Sequence, residues 1–323
     1  MPAAPQPAPS LKPPINMLKL VAIGLAAAAL FSTNFVLNRA ISLGGGSWVW
    51  SAALRYFDTA LLLGAWLLAR RGPGYCAAVL SLFRRRLGFW LLAGGIGYGL
   101  FYACLCFAAD HAPAWITAAT FQLTILASPF ILRAFGKRVP IHGILFLLLI
   151  FAGVVIINAQ RILAGIPVAQ VLAGVLPTAI AAIVYPIGNQ LISEARHAGG
   201  ADAALLADPI TCVFLMTLGS LPVFLALLGV TLPPLPGLHQ IISTAIIALC
   251  AGCLATSLFL YARNLSTDAY RIAAVDATQA GEVAFALLGE VALLGAPALN
   301  PLSWLGLGAV LGGLLGFTLW RKL

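Results

Sequence analysis

The sequence predicts an all-α integral membrane protein: ten transmembrane helices arranged as two inverted five-helix repeats. Three observations lead there. Hydrophobic residues make up 62% of the chain and charged residues 8%, against about a quarter charged in a soluble domain. Apolar runs of roughly 20 residues, the length that crosses about 30 Å of hydrocarbon, recur along the whole chain. A weak self-similarity links the two halves of the sequence.

In lipid every backbone polar group must be satisfied inside its own element, which leaves helices or a closed barrel. The runs are too long for barrel strands and do not alternate, so they are helices. Residues 1–16 hold six prolines and read as a disordered tail. The apolar run after Lys12 and Lys19 resembles a signal peptide, but it is long enough to span and has a counterpart later on, so it is taken as a retained helix. The ten spans are 18–38, 48–69, 87–108, 112–133, 141–159, 170–192, 204–230, 239–262, 269–293 and 300–320. Turn or charge signals separate them: GGGS at 44–47, RRGPG at 70–74, RRR at 84–86, GKRVP at 136–140 and LPPLPG at 232–237. Only a few residues around Asp110 and His111 join helices 3 and 4, making them an antiparallel pair.

The net charge is +9. Read by position, it points to membrane topology rather than to nucleic acid. With the N-terminus inside, fifteen of the eighteen Lys and Arg residues fall on the inner side, only Arg39 and Arg161 fall outside, and Arg55 lies within helix 2. That asymmetry sets the orientation and supports the even helix count. Trp48, Trp50, Trp90, Trp304 and Trp320 sit near helix ends and read as an interfacial belt. Cys250 and Cys253 form a CxxC, but within an apolar span and without a second pair they read as packing residues, not a metal site.

Shifted by about 155 residues, VAIGLAAAALFSTNFVLNRA (21–40) falls on LPTAIAAIVYPIGNQLISEA (176–195), with Asn34 on Asn189. At nearly the same offset ITAATFQLTILASP (116–129) falls on AAVDATQAGEVAFA (273–286), with Gln122 on Gln279. The repeats are then 17–160 and 161–323, and an odd number of helices in each inserts them in opposite senses. Secondary transporters recurrently use such repeats, with the substrate site near the midplane.

Ionisable groups at membrane depth are costly, and so are functional candidates. Arg55 and Asp58 lie three apart on helix 2 and can form an intramembrane ion pair; such a pair either sets register or serves gating or an anionic substrate. Asp208, before Pro209, reads as a helix N-cap. Helix 9 carries Asp276, Gln279, Glu282 and Glu290 in an otherwise apolar span. Gln279 lies about 60° around the helix from both Asp276 and Glu282, so one polar sector joins the three. Glu282 is nearest the centre of the span and is the prime candidate for proton coupling; Glu290, nearer the outer end, reads as reaching headgroup water. Asn34, Asn38, Gln122, Tyr185, Asn189, Gln190 and Gln279 are further polar groups at depth. Each alone reads as interhelical glue; paired across the halves, they read as lining a shared cavity.

FSTNFVLNR in an Ala-rich first helix, and ALLGEVALLGAPALNPLSWLGLGAVLGGLLGF (286–317) with its Gly289-Glu290 pair, resemble the drug/metabolite transporter superfamily, EamA-like group. DATQAGEVAFALLGE (276–290) more specifically resembles its multidrug resistance efflux branch. In the first half the corresponding place reads LRAFGKRVP, without the Glu. The resemblance covers residues 17–321 and implies export or exchange of small organic solutes, often against protons.

The function expected is therefore secondary active transport, most simply export of a small organic solute or drug across a bacterial cytoplasmic membrane. The expected partners are the lipid bilayer and a small-molecule substrate, with no nucleic acid, no cofactor and no metal, the chain acting as a monomer or homodimer. A channel or passive facilitator is the first alternative. A membrane-embedded enzyme is the second, disfavoured because His111, His142, His197 and His239 are scattered near helix ends. No P-loop GxxxxGK[ST] is present, so the chain lacks that route to ATP hydrolysis. Both termini should be cytoplasmic: reporters fused at Met1 and Leu323 are expected on the same, inner side, and opposite sides would mean an odd helix count and no inverted repeat.

Overall fold

A computed structural model describes residues 17–136, 144–197, 200, 202–265, 275, 278–296 and 299–320. Helices are the only regular structure among them. The long helices are α1 (Met17–Leu43), α2 (Trp48–Arg85), α3 (Leu87–His111), α4 (Ala114–Ala134), α5 (Ile144–Leu163), α6 (Val168–His197) and α7 (Pro209–Thr231). Then come α8, which continues from Leu238–Ile247 through Ala248–Ala255 into Thr256–Asn264, α9 (Gly281–Leu294) and α10 (Pro301–Trp320). Among the described residues, α1 to α8 contain eight segments long and apolar enough to cross a membrane; α9 and α10 supply shorter apolar stretches. Large apolar side chains such as Leu148, Phe151, Leu176, Ile180, Ile183 and Leu225 are exposed. A water-soluble monomer rarely exposes so much apolar surface, and the chain is a multi-pass membrane protein.

Several boundaries differ from those the sequence predicts. RRGPG is a kink rather than a loop. Gly72 takes φ 82°, a left-handed conformation that glycine adopts without a Cβ clash, and Pro73 follows it into a further stretch of helix ending at Arg85. That stretch buries Val79 and Leu82 against Trp90, Leu206 and Leu215, while Arg85 and Arg86 reach Asp202 at 2.8 and 3.5 Å. Trp90 is fully buried in this cluster, so it does not belong to an interfacial belt. Asp208 does cap α7: its Oδ1 accepts from the Ile210 N–H at 3.0 Å.

The helices pair in a regular scheme. α1 packs on α8 and α9, α6 on α3 and α4, α2 on α8, and α7 on α3; α2 and α7, α4 and α9, and α5 and α10 also pair. Lipid tails are as apolar as leucine, so these contacts depend on close van der Waals approach, which small residues permit. A Cβ on Gly97 of α3 would lie 2.6 Å from the Gly188 Cα of α6, and one on Gly153 of α5 would lie 2.6 Å from the Gly306 carbonyl of α10. Two helices widen midway into π-helical turns, α3 at Gly95–Leu100 and α8 at Ala248–Ala255. Such turns are rare and concentrate at functional places.

The Gly97–Gly188 approach makes a direct test. Gly188→Val should force α3 from α6 and destabilise the protein by about 1–3 kcal/mol. Gly229→Val, where no atom lies within 4 Å of an added Cβ, should leave thermal unfolding in detergent unchanged. Equal melting of both variants would show that the approach is not needed.

Candidate functional site

Tyr102 of α3 is the hub of a buried polar cluster. Its hydroxyl accepts from Asn38 Nδ2 at 2.9 Å and donates to Asn34 Oδ1 at 3.4 Å, joining α3 to α1. Arg55 of α2 lies over the same ring, Cζ 4.0 Å from the centroid, and 4.9 Å from that of Tyr56. Aromatic rings continue outward: Tyr56 touches Tyr98, Tyr102 and Phe224, and Phe101 meets Tyr185 of α6 at 4.8 Å. The cluster thus gathers side chains from α1, α2, α3, α6 and α7.

The Arg55–Asp58 ion pair expected from the sequence does not form. The guanidinium turns onto the tyrosines, and Asp58 Oδ2 is buried without a hydrogen-bond partner among the described residues. Arg55 itself is only 8% exposed, and its Nε and Nη1 are likewise unpartnered. The ionisable groups facing it are Tyr56, Tyr98, Tyr102, Cys106 and Cys253, none a carboxylate. A cation over a desolvated ring gains about 2 kcal/mol. An uncompensated buried charge costs about 3–5 kcal/mol, so the rings alone leave a deficit.

The two glutamines lie at breaks in their helices. α4 is interrupted at Gln122, whose N–H bonds back only three residues to the Ala119 carbonyl. Gln279 sits in the 3₁₀ turn Thr278–Ala280, directly before α9. Glu282, which the sequence puts mid-span, follows this 3₁₀ turn in the first turn of α9, buried, with Gly281 close to Leu25 and Ala28 of α1. A carboxylate there suits the positive end of a helix. No described side chain forms an ion pair with it. Asp276 falls outside the described residues. Asn189 is exposed on α6, and no hydrogen bond among the described residues ties it to Asn34. Gln190 donates to Glu194 at 2.6 Å along its own helix.

A second polar group, at the end of the bundle where α3 turns into α4, is structural. Helix ends leave carbonyls and N–H groups without intrahelical partners. Here Arg39 donates to the Ala109 carbonyl at 2.8 Å and Arg161 to the His111 carbonyl at 2.7 Å, closing the end of α3. Glu290 accepts from the Trp115 N–H at 3.1 Å, closing the start of α4. Glu290 is 4% exposed, so it does not reach headgroup water. The roles of Arg39 and Arg161 were missed in the sequence, although a signal existed: they are the two basic residues that break the charge asymmetry. Nor did the sequence single out Tyr56, Tyr98 and Tyr102, though Tyr98, between Gly97 and Gly99, lies one turn from Tyr102.

The chain matches over residues 18–322 the family EmrE, described as "Putative multidrug resistance efflux transporter". It is 34% identical over 316 residues to a Bacillus subtilis (strain 168) protein described as uncharacterized, YjlA, covering 92% of this chain and 94% of that one. An uncharacterized 42.1 kDa Shouchella clausii protein is 35% identical over 260 residues, 77% of this chain and 65% of the relative. A solved structure described only as "Crystal structure of protein" superposes with a TM-score of 0.61 at 16% identity, over 94% of this chain and 97% of that one, a likeness of fold alone.

Removal of the Glu290 cap should be measurable. Glu290→Ala leaves a buried N–H unsatisfied and should lower stability by about 1–3 kcal/mol. Glu290→Gln keeps an acceptor oxygen and should lose less. Thermal unfolding of the two variants separates them, and an alanine variant as stable as the parent would rule the cap out.

Proposed function

Because the chain belongs to the EmrE family of multidrug resistance efflux transporters, we propose that it is a secondary active transporter that exports a small organic solute through a central site between two inverted five-helix halves. The observation that carries this reading is the buried polar and aromatic cluster around Tyr102, held by several helices at once. Polar groups at membrane depth mark substrate and ion pathways, and a channel needs no such closed cluster.

The inverted halves draw support from the helix pairing. Moving each helix label five places along turns α1–α9 into α6–α4, α1–α8 into α6–α3, and α2–α8 into α7–α3; it leaves α2–α7, α4–α9 and α5–α10 as pairs with themselves. The π-helical turns obey the same rule, falling in α3 and in α8 at nearly the offset that aligns Gln122 with Gln279. Ten spanning helices, with 17–160 and 161–323 as the halves, follow from this reading, as does a bacterial cytoplasmic membrane with both termini inside.

Glu282 is the coupling carboxylate in this proposal, with Asp276, Gln279, Gln122, Asn34, Asn189 and Tyr185 as candidate neighbours along the solute path. A bare carboxylate at membrane depth costs about 2.5 kcal/mol or more on insertion scales, so the group binds a proton or a cationic partner, and exchange between those states couples the fluxes. Glu282→Gln keeps size and hydrogen bonding but cannot titrate. It should insert and fold normally while losing the pH change that substrate induces in proteoliposomes. Asp276→Asn should do less, since in the sequence Asp276 stands nearer the start of the apolar run 269–293 than Glu282 does. Full coupling in Glu282→Gln, or loss in Asp276→Asn alone, would move the site elsewhere.

A further inference from the structure

We propose that Arg55 is the point at which the chain recognises its solute, and that this solute is an organic anion: a carboxylate, sulfonate or phosphate on an apolar or aromatic body. The inference rests on the transport reading for its purpose, but its evidence is separate. Arginine stays protonated in proteins, so Arg55 is a permanent positive charge inside the bundle. It is more than nine-tenths buried. A structural arginine in such a place has a carboxylate or a set of carbonyls as partners. The same bundle shows what that looks like, since Arg39 and Arg161 bond to the carbonyls that end α3. Arg55 bonds to nothing of the kind. Asp58, one turn along the same helix, is not among the groups that face it.

The tyrosines satisfy Arg55 only in part: Tyr56 shares a side-chain hydrogen bond with it. The Tyr102 ring lies 4.0 Å from the guanidinium carbon, and a ring in that position attracts the cation through its π face. It cannot accept the edge-directed N–H bonds, and Nε and Nη1 remain without acceptors among the described residues. Those donors fit the oxygens of an anion. The rings hold Arg55 in place and leave Nε and Nη1 free, while Phe101, packed on Tyr102, and the half-buried Tyr185 offer an aromatic wall next to that ring. A lipophilic cation, by contrast, would meet a fixed like charge at this point.

The purified protein can be tested with probes that share a two-ring body. Naphthalene-2-sulfonate, 2-naphthoate and 2-naphthyl phosphate carry negative charge; N-methylquinolinium carries positive charge. At least one anion should bind the unmodified protein tenfold or more tighter than the cation. Arg55→Met should lose that binding by tenfold or more, and Arg55→Lys should keep a weakened form of it. Preference of the unmodified protein for the cation, absence of binding by all three anions, or unchanged anion binding in Arg55→Met would each overturn the proposal. The comparison on unmodified protein decides even where a variant fails to fold. Counterflow in proteoliposomes then separates the two readings. An anion that binds through Arg55 but is never carried supports this site and sinks transport; a carried cation with no carried anion supports transport and sinks this site.

Discussion

A backbone amide or carbonyl in hydrocarbon has no water to bond, and each one left unsatisfied costs several kcal/mol. The rest of the structure depends on that constraint. It excludes isolated strands and loops at depth and makes α1 to α8 long enough to carry their own hydrogen bonds across the membrane. It also governs where a helix can depart from regularity. The π-helical turn of α3 runs through Gly95, Gly97 and Gly99, all buried, with α6 and α7 against it. The π-helical turn of α8 is covered at Gly252 by Thr59 of α2. The glycine face of each irregular stretch is set against other helices, while Leu100, Leu249 and Leu254 on the same turns are exposed.

The same constraint explains the arginines that defy the charge asymmetry. α3 ends and α4 begins within a few residues, so carbonyls and N–H groups without intrahelical partners meet at one place. Arg39 and Arg161 close the carbonyls, and Glu290 closes an N–H of the next helix. Three helices far apart in sequence, α1, α5 and α9, are thereby tied to one turn. A charged group that bonds backbone in this way is accounted for by the fold.

Much of this was legible in the sequence, because lipid imposes length and composition so strictly. The helical class, most of the spans and the superfamily followed from apolar runs and a few short motifs. What was not legible depends on direction in space. Arg55 and Asp58 are three residues apart, a spacing that permits an ion pair, yet the rings of Tyr56 and Tyr102 draw the guanidinium away. Glu290 looked like a helix-end residue reaching for water, and only the fold puts the start of α4 beside it. Trp90 carries a belt residue's position but faces Met216 and Leu215, because the amphipathic end of α2 folds back over it. RRGPG read as a loop because glycine and proline usually mark one; here Gly72 bends the chain by a single positive φ and the helix resumes.

The polar groups of the interior therefore divide by whether the fold itself satisfies them. Asp208, Arg39, Arg161, Glu290 and Gln240 each bond to backbone at a helix end, Gln240 to the Ser47 carbonyl at 2.6 Å. Each has a structural reason to exist. Arg161 leaves its Nη1 unpartnered but still closes a helix end through Nη2, whereas Arg55, Asp58 and Gln279 keep donor or acceptor atoms without partners among the described residues and bond to no helix end, and Glu282 has no described counter-ion. Keeping such groups in a dry bundle is expensive. In the proposed transport cycle that cost is offset by something that visits the bundle and leaves again, a proton or a solute. That is the physical sense in which an interior with unmet charges suits transport better than structure. The two kinds of charge are also unlike. An arginine cannot give up its proton and so provides a constant field for recognition, whereas a carboxyl group can take one and release it. The proposed selection and energy coupling use those two properties separately, with Arg55 on α2 and Glu282 on α9.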